Sequence, residues 1–227
     1  MDVLAIQKRL RALGFNPGPL DGRRGKSTKA AIKAFQVANG LASDGIAGPN
    51  TRAALFPVKR PKGEAPAGGY RIASTWPRQR DCTDFYGAIG TRQVQIEVPY
   101  EMRLAWDQSV IVRKMSLHEK VAPSALHVLE GVGKAYSAKE RKDIGLDLFG
   151  GSFNVRRMRG GSAWSMHSWG IAIDFDPERN QLRWGRDKAR LAEPDAEPFW
   201  LAWEEEGWLS LGRARNYDWM HVQAARL

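Results

Sequence analysis

Two short segments near the C-terminal end most constrain the fold of this 227-residue chain. The first reads Ser-Met-His-Ser-Trp-Gly-Ile-Ala-Ile-Asp over residues 165–174, and the second reads Asp-Trp-Met-His over residues 218–221. Together they offer the imidazoles of His167 and His221 and the carboxylate of Asp174. Three such ligands with an open fourth position are typical of a catalytic zinc site. A fold that uses them must bring two distant stretches of the chain together.

The spacing of these residues predicts how each one reaches the site. His167 and Asp174 are seven residues apart, so they cannot lie on one face of a single regular strand. A bend near Gly170 would let His167 precede a strand that carries Asp174, and His221 would then come from a neighbouring strand. Asp218 and His221 would lie on opposite faces of an ideal strand, so we expect Asp218 in the loop before it.

The positive net charge of the chain favours an anionic partner, and its motifs and apolar runs argue against nucleic-acid-binding and membrane-spanning proteins. The formal net charge is +10, which suits nucleic acid, a membrane surface or an anionic cell wall. No helix combines clustered basic residues with a recognised reading motif, so nucleic-acid binding rests on charge alone and is not expected. No apolar run reaches the length of a membrane span, so we expect no stable membrane insertion. The single cysteine, Cys82, excludes an intramolecular disulfide.

An internal repeat marks the first part of the chain. The pattern Asp-Gly-x-x-Gly-x-x-Thr occurs over residues 21–28 and again over residues 44–51. Segment 1–57 is predicted to be a small three-helix bundle, in which most of the repeated residues only shape loops. The apolar residues of the first two helices recur with helical spacing: they are Val3, Ile6, Leu10 and Leu13, and then Ala31, Phe35 and Ala38.

The rest of the chain divides into a linker and a second domain. Residues 58–69 are rich in proline and glycine and lack apolar periodicity, which predicts a linker. Residues 70–227 mix strand and helix patterns, so the fold class is α+β, and we expect an antiparallel sheet. One predicted strand would bury Ile171, Ile173 and Phe175 and direct Asp174 to the opposite face.

Segment 1–57 resembles the peptidoglycan-binding domain found beside many cell-wall hydrolases. The resemblance implies a shallow groove that binds the peptide or glycan of bacterial peptidoglycan. It is carried by Ile6-Gln7-x-x-Leu10, Leu13-Gly14-Phe15, Pro19-Leu20-Asp21-Gly22, Phe35-Gln36, Gly40-Leu41 and the second copy of the repeated loop.

The second domain resembles the zinc peptidases of the D-Ala-D-Ala carboxypeptidase and L-alanyl-D-glutamate endopeptidase group, to which many phage endolysins belong. The matching pattern is Ser-x-His-x-x-Gly-x-Ala-x-Asp followed by Asp-x-x-His. Further matching segments precede it over residues 85–87, 99–102, 150–156 and 160–161. The resemblance implies a Zn²⁺ cofactor. It also implies three kinds of residue: the zinc ligands His167, Asp174 and His221, the acid/base Asp218, and Arg156 as the group that holds the substrate carbonyl or its oxyanion.

Two of these assignments leave an alternative open. Many members of the group carry glutamate at the position of Asp218, and aspartate is the familiar variant in the endolysin branch. Arg157 is adjacent to Arg156 and could face the site in its place.

Four further residues within or next to the two metal segments are expected to bind substrate: Ser165, Trp169, Tyr217 and Trp219. Core packing would explain the three aromatic residues equally well. Ser165 and Asp176 would also serve to orient the zinc ligands, a role that ligating histidines usually need filled.

The sequence therefore predicts a modular, monomeric peptidoglycan hydrolase that cuts the stem peptide with zinc-activated water. The L-Ala-D-Glu bond is favoured by the Asp-x-x-His variant and by the modular architecture. The alternatives are a carboxypeptidase that trims terminal D-Ala and a wall-binding protein without activity. The N-terminus does not have the pattern of a signal peptide. We therefore expect a bacteriolytic phage endolysin that accumulates in the host cytoplasm and reaches the wall once the membrane is permeabilised.

Overall fold

The computed structural model describes residues 3–56 and 76–227. The predicted linker over residues 58–69, and the domain boundaries on either side of it, lie outside the described residues and stay predictions. Within the part of the chain that is described, no helix is long and apolar enough to cross a membrane.

Three helices form the N-terminal part: α1 (Val3–Ala12), α2 (Lys26–Ala38) and α3 (Pro49–Leu55). Their buried side chains share one apolar cluster, in which the ring of Phe35 meets the ring of Phe15 edge to face at 5.5 Å. The predicted helical character is confirmed, but Leu13 lies beyond the end of α1 and is exposed. The description of this part as a three-helix bundle stays a prediction.

The first copy of the repeated loop is organised by the side-chain amide of Gln7 on α1. Its Nε2 donates to Asp21 Oδ1, to the carbonyl of Arg23 and to Thr28 Oγ1, at 2.9, 3.0 and 3.1 Å. Its Oε1 accepts from the backbone N–H of Gly22 at 2.9 Å. The buried amide thus ties the loop to the helix before it and the helix after it.

The second copy repeats this arrangement around Gln36 on α2. Its Nε2 donates to Asp44 Oδ1, to the carbonyl of Ile46 and to Thr51 Oγ1, at 2.7, 3.0 and 2.9 Å. Its Oε1 accepts from the N–H of Gly45 at 2.9 Å. The repeated aspartate, glycine and threonine are therefore bonded within the loop, which supports the interpretation that they shape it.

The C-terminal part contains five helices and six strands among the described residues. The helices are α4 (Cys82–Tyr86), α5 (Ala122–Ala135), α6 (Ala138–Ile144), α7 (Glu197–Glu205) and α8 (Leu211–Arg215). The strands are β1 (Gln93–Leu104), β2 (Asp107–His118), β3 (Leu148–Gly151), β4 (Ala172–Phe175), β5 (Leu209–Ser210) and β6 (His221–Gln223).

The six strands form one mixed sheet in the order β2-β1-β3-β4-β6-β5. The predicted α+β class is confirmed, but the predicted antiparallel sheet is only partly right, because Arg103 and Leu104 of β1 pair in parallel with Leu148 and Phe149 of β3. The reason is that α5 and α6 lie between β2 and β3. This helical connection returns the chain so that β3 runs in the direction of β1.

Strand β4 is covered on both faces. Ile171, Ile173 and Phe175 are fully buried, as predicted, but Ala172 is fully buried as well and Asp174 is largely buried. The expected alternation of buried and exposed residues is therefore absent, since a strand in the interior of a covered sheet has no solvent face. This burial places Asp174 where water has little access.

Candidate metal centre

The segment before β4 is bent by a single 3₁₀ turn, Met166–Trp169. The hydroxyl of Ser165 caps it by accepting from the N–H of His167 at 3.4 Å. Gly170 follows with φ of 69°, a left-handed conformation that favours glycine, and a Cβ at this position would collide with the side chain of Gln93. The bend predicted near Gly170 is thereby confirmed, with His167 before it and β4 after it.

Three side chains converge where β4 and β6 run side by side. Asp174 and His221 are directly opposite each other in the antiparallel pair, and His221 Nδ1 lies 2.8 Å from Asp174 Oδ1. His167 Nε2 lies 3.2 Å from the other carboxylate oxygen, Oδ2. One candidate ligand atom from each of the three residues lies within 4.8 Å of the others. The structure therefore brings together the three residues that the sequence singled out, with His221 on the neighbouring strand.

The ring of His167 is oriented by the backbone. Its Nδ1 lies 3.0 Å from the carbonyl oxygen of Ser152, and because a carbonyl can only accept, Nδ1 carries the proton. Nε2 then holds a lone pair, and this buried atom has no hydrogen-bond partner among the described residues. A lone pair directed at a carboxylate oxygen is stable only with a cation between them, so the orphaned Nε2 fits a metal ion.

The electrostatics of the cluster favour a positive charge between the three side chains. Burial alone would raise the pKa of the Asp174 carboxyl, but the neighbouring imidazoles of His167 and His221 outweigh it and hold that pKa below its usual range. Burial likewise lowers the pKa of the His221 imidazole, and the hydrogen bond and charge of Asp174 reverse the effect, so that this pKa is raised. Asp174 is therefore an ionised carboxylate that attracts cations.

Asp218 lies in the loop that leads into β6, as predicted, and its backbone is unusual. Its φ is 56°, and its N–H donates to the carbonyl of Leu182 at 2.9 Å. The residue is 9% exposed. Burial raises the pKa of its carboxyl to about 6, an effect that the nearby charges of His221 and Arg156 partly oppose. A buried carboxyl that titrates close to neutral pH suits proton transfer.

The two adjacent arginines have different surroundings. The backbone N–H of Arg156 donates to Ser168 Oγ at 3.1 Å, which ties it to the 3₁₀ turn, and its charge acts on the Asp218 carboxyl. Arg157 is exposed, and its guanidinium stacks on the ring of Trp164 at 3.6 Å from the centroid. These contacts favour Arg156 over Arg157 as the arginine that faces the site.

The four residues expected to bind substrate occupy unlike positions. Trp169 and Trp219 are 4% and 2% exposed, and their indole N–H groups donate to Gly87 and Asn216. This burial favours core packing, the alternative that the sequence left open. Ser165 is buried and caps the 3₁₀ turn, whereas Tyr217 is 41% exposed beside Asp218. Of the four, Tyr217 is therefore the residue placed to contact a ligand from solvent.

Two groups that contact the cluster histidines were not identified from the sequence, and one residue that was expected to orient a ligand has a different partner. The carbonyl of Ser152 is a backbone group, which sequence motifs do not reveal. Gln223 Oε1 lies 3.1 Å from His221 Nε2, and a signal for it exists, because residues two apart on a strand share a face. Asp176, expected to orient a ligand, instead accepts from Arg179 Nε at 2.6 Å.

Comparison with known proteins divides the chain into two matched segments. Residues 1–55 match the family of a peptidoglycan-binding domain. Residues 159–224 match the D-alanyl-D-alanine carboxypeptidase family. The chain is modular. The predicted resemblance of the first segment to a peptidoglycan-binding domain and of the second to the carboxypeptidase group is thereby confirmed. The second match includes all three cluster residues and Asp218 but begins after Arg156.

Two curated proteins are similar over short stretches. N-acetylmuramoyl-L-alanine amidase CwlM of Mycobacterium tuberculosis is 46% identical over 55 residues, which are 24% of this chain and 14% of that protein. The zinc D-Ala-D-Ala carboxypeptidase of Streptomyces albus G is 50% identical over 50 residues, which are 20% of this chain and 19% of that protein. The chain thus spans less than a fifth of the length of either relative. No solved structure matches the chain significantly.

Proposed function

We propose that this protein is a modular peptidoglycan hydrolase, with a zinc peptidase in its C-terminal part and a wall-binding unit in its N-terminal part. The observation that carries the proposal is the convergence of His167, Asp174 and His221 on one buried point, where the Nε2 lone pair of His167 has no partner among the residues that the structure describes. These three residues would hold the zinc. The family match of this segment and the zinc named in one relative support the choice of metal.

The side chains around the cluster supply the remaining chemistry. Zinc, when bound, provides Lewis-acid activation of a water molecule and of a peptide carbonyl. The Asp218 carboxylate takes a proton from the attacking water and passes it to the leaving amine, and a pKa of about 6 suits both steps. The Arg156 guanidinium stabilises the negative charge that develops on the carbonyl oxygen.

The proposed bond is L-Ala-D-Glu of the stem peptide. Aspartate at position 218 and the union of a wall-binding with a peptidase segment support it. Cleavage there would free stem peptides and lyse cells, the action of a phage endolysin that works as a monomer and reaches the wall from the host cytoplasm. A second candidate is removal of terminal D-Ala, which the name of the matching family favours.

Mass spectrometry of the products released from purified peptidoglycan tests the proposal. With zinc present, we expect soluble stem peptides that begin at D-Glu, and none when a chelator is added or when Asp218→Asn replaces the wild type. Loss of a single terminal D-Ala would instead identify a carboxypeptidase. Unchanged peptidoglycan, from a protein shown to contain zinc, would contradict the hydrolase and leave a wall-binding protein.

A further inference from the structure

We propose that Gln223 is a positioning residue that keeps the proton of His221 on Nε2 and thereby directs the Nδ1 lone pair to the metal. The inference rests on the proposed function only in taking His221 as a zinc ligand. Gln223 is 1% exposed and lies on β6 two residues after His221, so both side chains are on the same face of the strand. Its Oε1 lies 3.1 Å from His221 Nε2.

The orientation of the Gln223 amide is fixed by the hydrogen bond that its nitrogen makes. Its Nε2 donates to the carbonyl of Ala225 at 2.8 Å, and a carbonyl can only accept, so the NH₂ group must be on that side. Gln79 Nε2 also donates to Gln223 Oε1, at 3.4 Å. Turning the amide over would set an oxygen against the carbonyl of Ala225. Gln223 therefore presents only an acceptor to His221, and Nε2 of His221 must carry a proton.

This proton decides which nitrogen of His221 is available. The carboxylate of Asp174, 2.8 Å from Nδ1, would by itself favour the tautomer with the proton on Nδ1. That tautomer satisfies Asp174 but blocks the nitrogen that faces the cluster. Gln223 disfavours it, because the unprotonated Nε2 would then face the amide oxygen at 3.1 Å with no hydrogen between them. The glutamine thus favours metal binding over a plain histidine–aspartate hydrogen bond.

The two histidines are consequently held by different means. His167 is oriented through Nδ1 by the backbone carbonyl of Ser152 and offers Nε2. His221 is oriented through Nε2 by the side chain of Gln223 and offers Nδ1. A side chain can be replaced without moving the backbone, so the role of Gln223 is open to direct test.

The first test measures zinc affinity by competition with a chromogenic chelator. In Gln223→Met, which keeps the length but removes the amide oxygen, we expect affinity to fall about 10–100-fold, the usual effect of losing the partner of a ligating histidine. Gln223→Glu keeps an acceptor for His221 and should bind zinc more tightly than Gln223→Met. Gln79→Leu removes a contact to the same oxygen without touching His221, and its affinity should stay that of the wild type.

Circular dichroism of the zinc-free variants would verify that they fold. Unchanged affinity in Gln223→Met would overturn the inference. Equal losses in Gln223→Met and Gln223→Glu would also overturn it, because a residue that only fills space would give that result.

The second test observes the histidine nitrogens by NMR of the ¹⁵N-labelled, zinc-loaded wild type. We expect His221 to carry its proton on Nε2 and to coordinate through Nδ1, and coordination through Nε2 would overturn the inference. Neither test uses enzymatic activity. A protein that binds zinc in this way but releases no wall fragments would contradict the proposed function and leave the role of Gln223 standing.

Discussion

Buried polar networks occur in both parts of the molecule, and they differ in one respect. In the N-terminal loops, both polar atoms of each amide, Gln7 and Gln36, are paired within the chain. In the C-terminal cluster, Nε2 of His167 has no hydrogen-bond partner in the described part of the chain and is directed at the Asp174 carboxylate. Buried polar groups are nearly always paired. A closed network, in which every polar atom has a partner within the chain, therefore indicates a structural role. An open network, in which an unpaired atom and its neighbours converge on one point, indicates a bound ligand.

This difference has an energetic counterpart. Removing a member of a closed network leaves its partners buried and unsatisfied, which costs stability. Removing a member of the open cluster takes away groups that are poorly satisfied without their ligand, so function is lost at little cost in stability. The variants below test this contrast, from the largest expected effect to the smallest.

Replacing a cluster histidine should have the largest effect. In His167→Ala and in His221→Ala we expect activity on peptidoglycan to fall to background and zinc to be lost, because each variant removes one of three ligands. Metal analysis after gel filtration, together with release of wall fragments, measures both. His127→Ala, at a histidine outside the cluster that pairs with Glu206, is the control that should keep its zinc. Full zinc content in His167→Ala or His221→Ala would remove that residue from the ligand set.

Replacing the proposed base, Asp218, should lower turnover while raising the stability of the fold. In Asp218→Asn we expect zinc to be retained and kcat to fall about 10²–10⁴-fold. Burial raises the pKa of this carboxyl from 3.8 to about 6, so its ionised form destabilises the fold. The zinc-free variant should therefore be more stable than the wild type above pH 6, by about 1–3 kcal/mol.

The sign of this stability difference can be checked by denaturant unfolding at several pH values. Well below pH 3.8, the ordinary pKa of this carboxyl, the group is protonated in both the folded and the unfolded wild type, so the two proteins should be equally stable. The difference should develop between pH 4 and pH 6 as the unfolded state releases its proton first. A variant that is less stable at pH 7 would contradict the assigned burial, and a variant without zinc would make Asp218 a ligand.

The two arginines form a matched pair for a smaller effect on the same reaction. Arg156→Ala should lower kcat about 10²–10³-fold, the range observed when one group that stabilises an oxyanion is removed. Arg157→Ala should have little effect, because its guanidinium stacks on Trp164 at the surface. Steady-state kinetics on a soluble stem peptide distinguishes them. The reverse ranking would assign the oxyanion role to Arg157.

Replacing a helix glutamine that holds a repeated loop should leave catalysis intact and lower the stability of the N-terminal part. Gln36→Leu removes the partner of the Gly45 N–H and of Thr51, which should cost about 2–4 kcal/mol of local stability. Amide hydrogen exchange at Gly45 reports this loss directly, and Gln7→Leu should do the same at Gly22. Hydrolysis of a soluble peptide should be unchanged. Reduced turnover would show that the N-terminal loop network affects catalysis, and it would contradict the assignment of a purely structural role to that network.

The bend in the cluster could be predicted from sequence because its constraint is local. The seven-residue spacing of His167 and Asp174 demands a bend, and Gly170 marks where it occurs. His221 was expected on a neighbouring strand, and the observed register sets it opposite Asp174. The repeated loops were visible for the same reason, since each is defined within eight residues of chain.

Other features depend on contacts between distant segments, which spacing does not encode. The parallel pairing of β1 with β3 joins strands that are separated in sequence by β2, α5 and α6, and residue spacing alone did not indicate it. The acceptor of His167 is the backbone of Ser152, which any residue would provide. The burial of Trp169 and Trp219 depends on the elements that cover them, and a tryptophan in sequence fits a core and a cleft equally well.

The alternation of side chains along β6 limits which insertions and deletions this protein can accept. His221 and Gln223 share one face of a three-residue strand, and Val222 is fully buried on the other. A single inserted or deleted residue within the strand would exchange the faces and place a valine opposite Asp174. The connection from β4 to α7 contributes no strand to the sheet among the described residues, so it does not share this restriction. We therefore expect homologous chains to vary in length over the long connection and to keep the spacing from residue 218 to residue 223 without gaps.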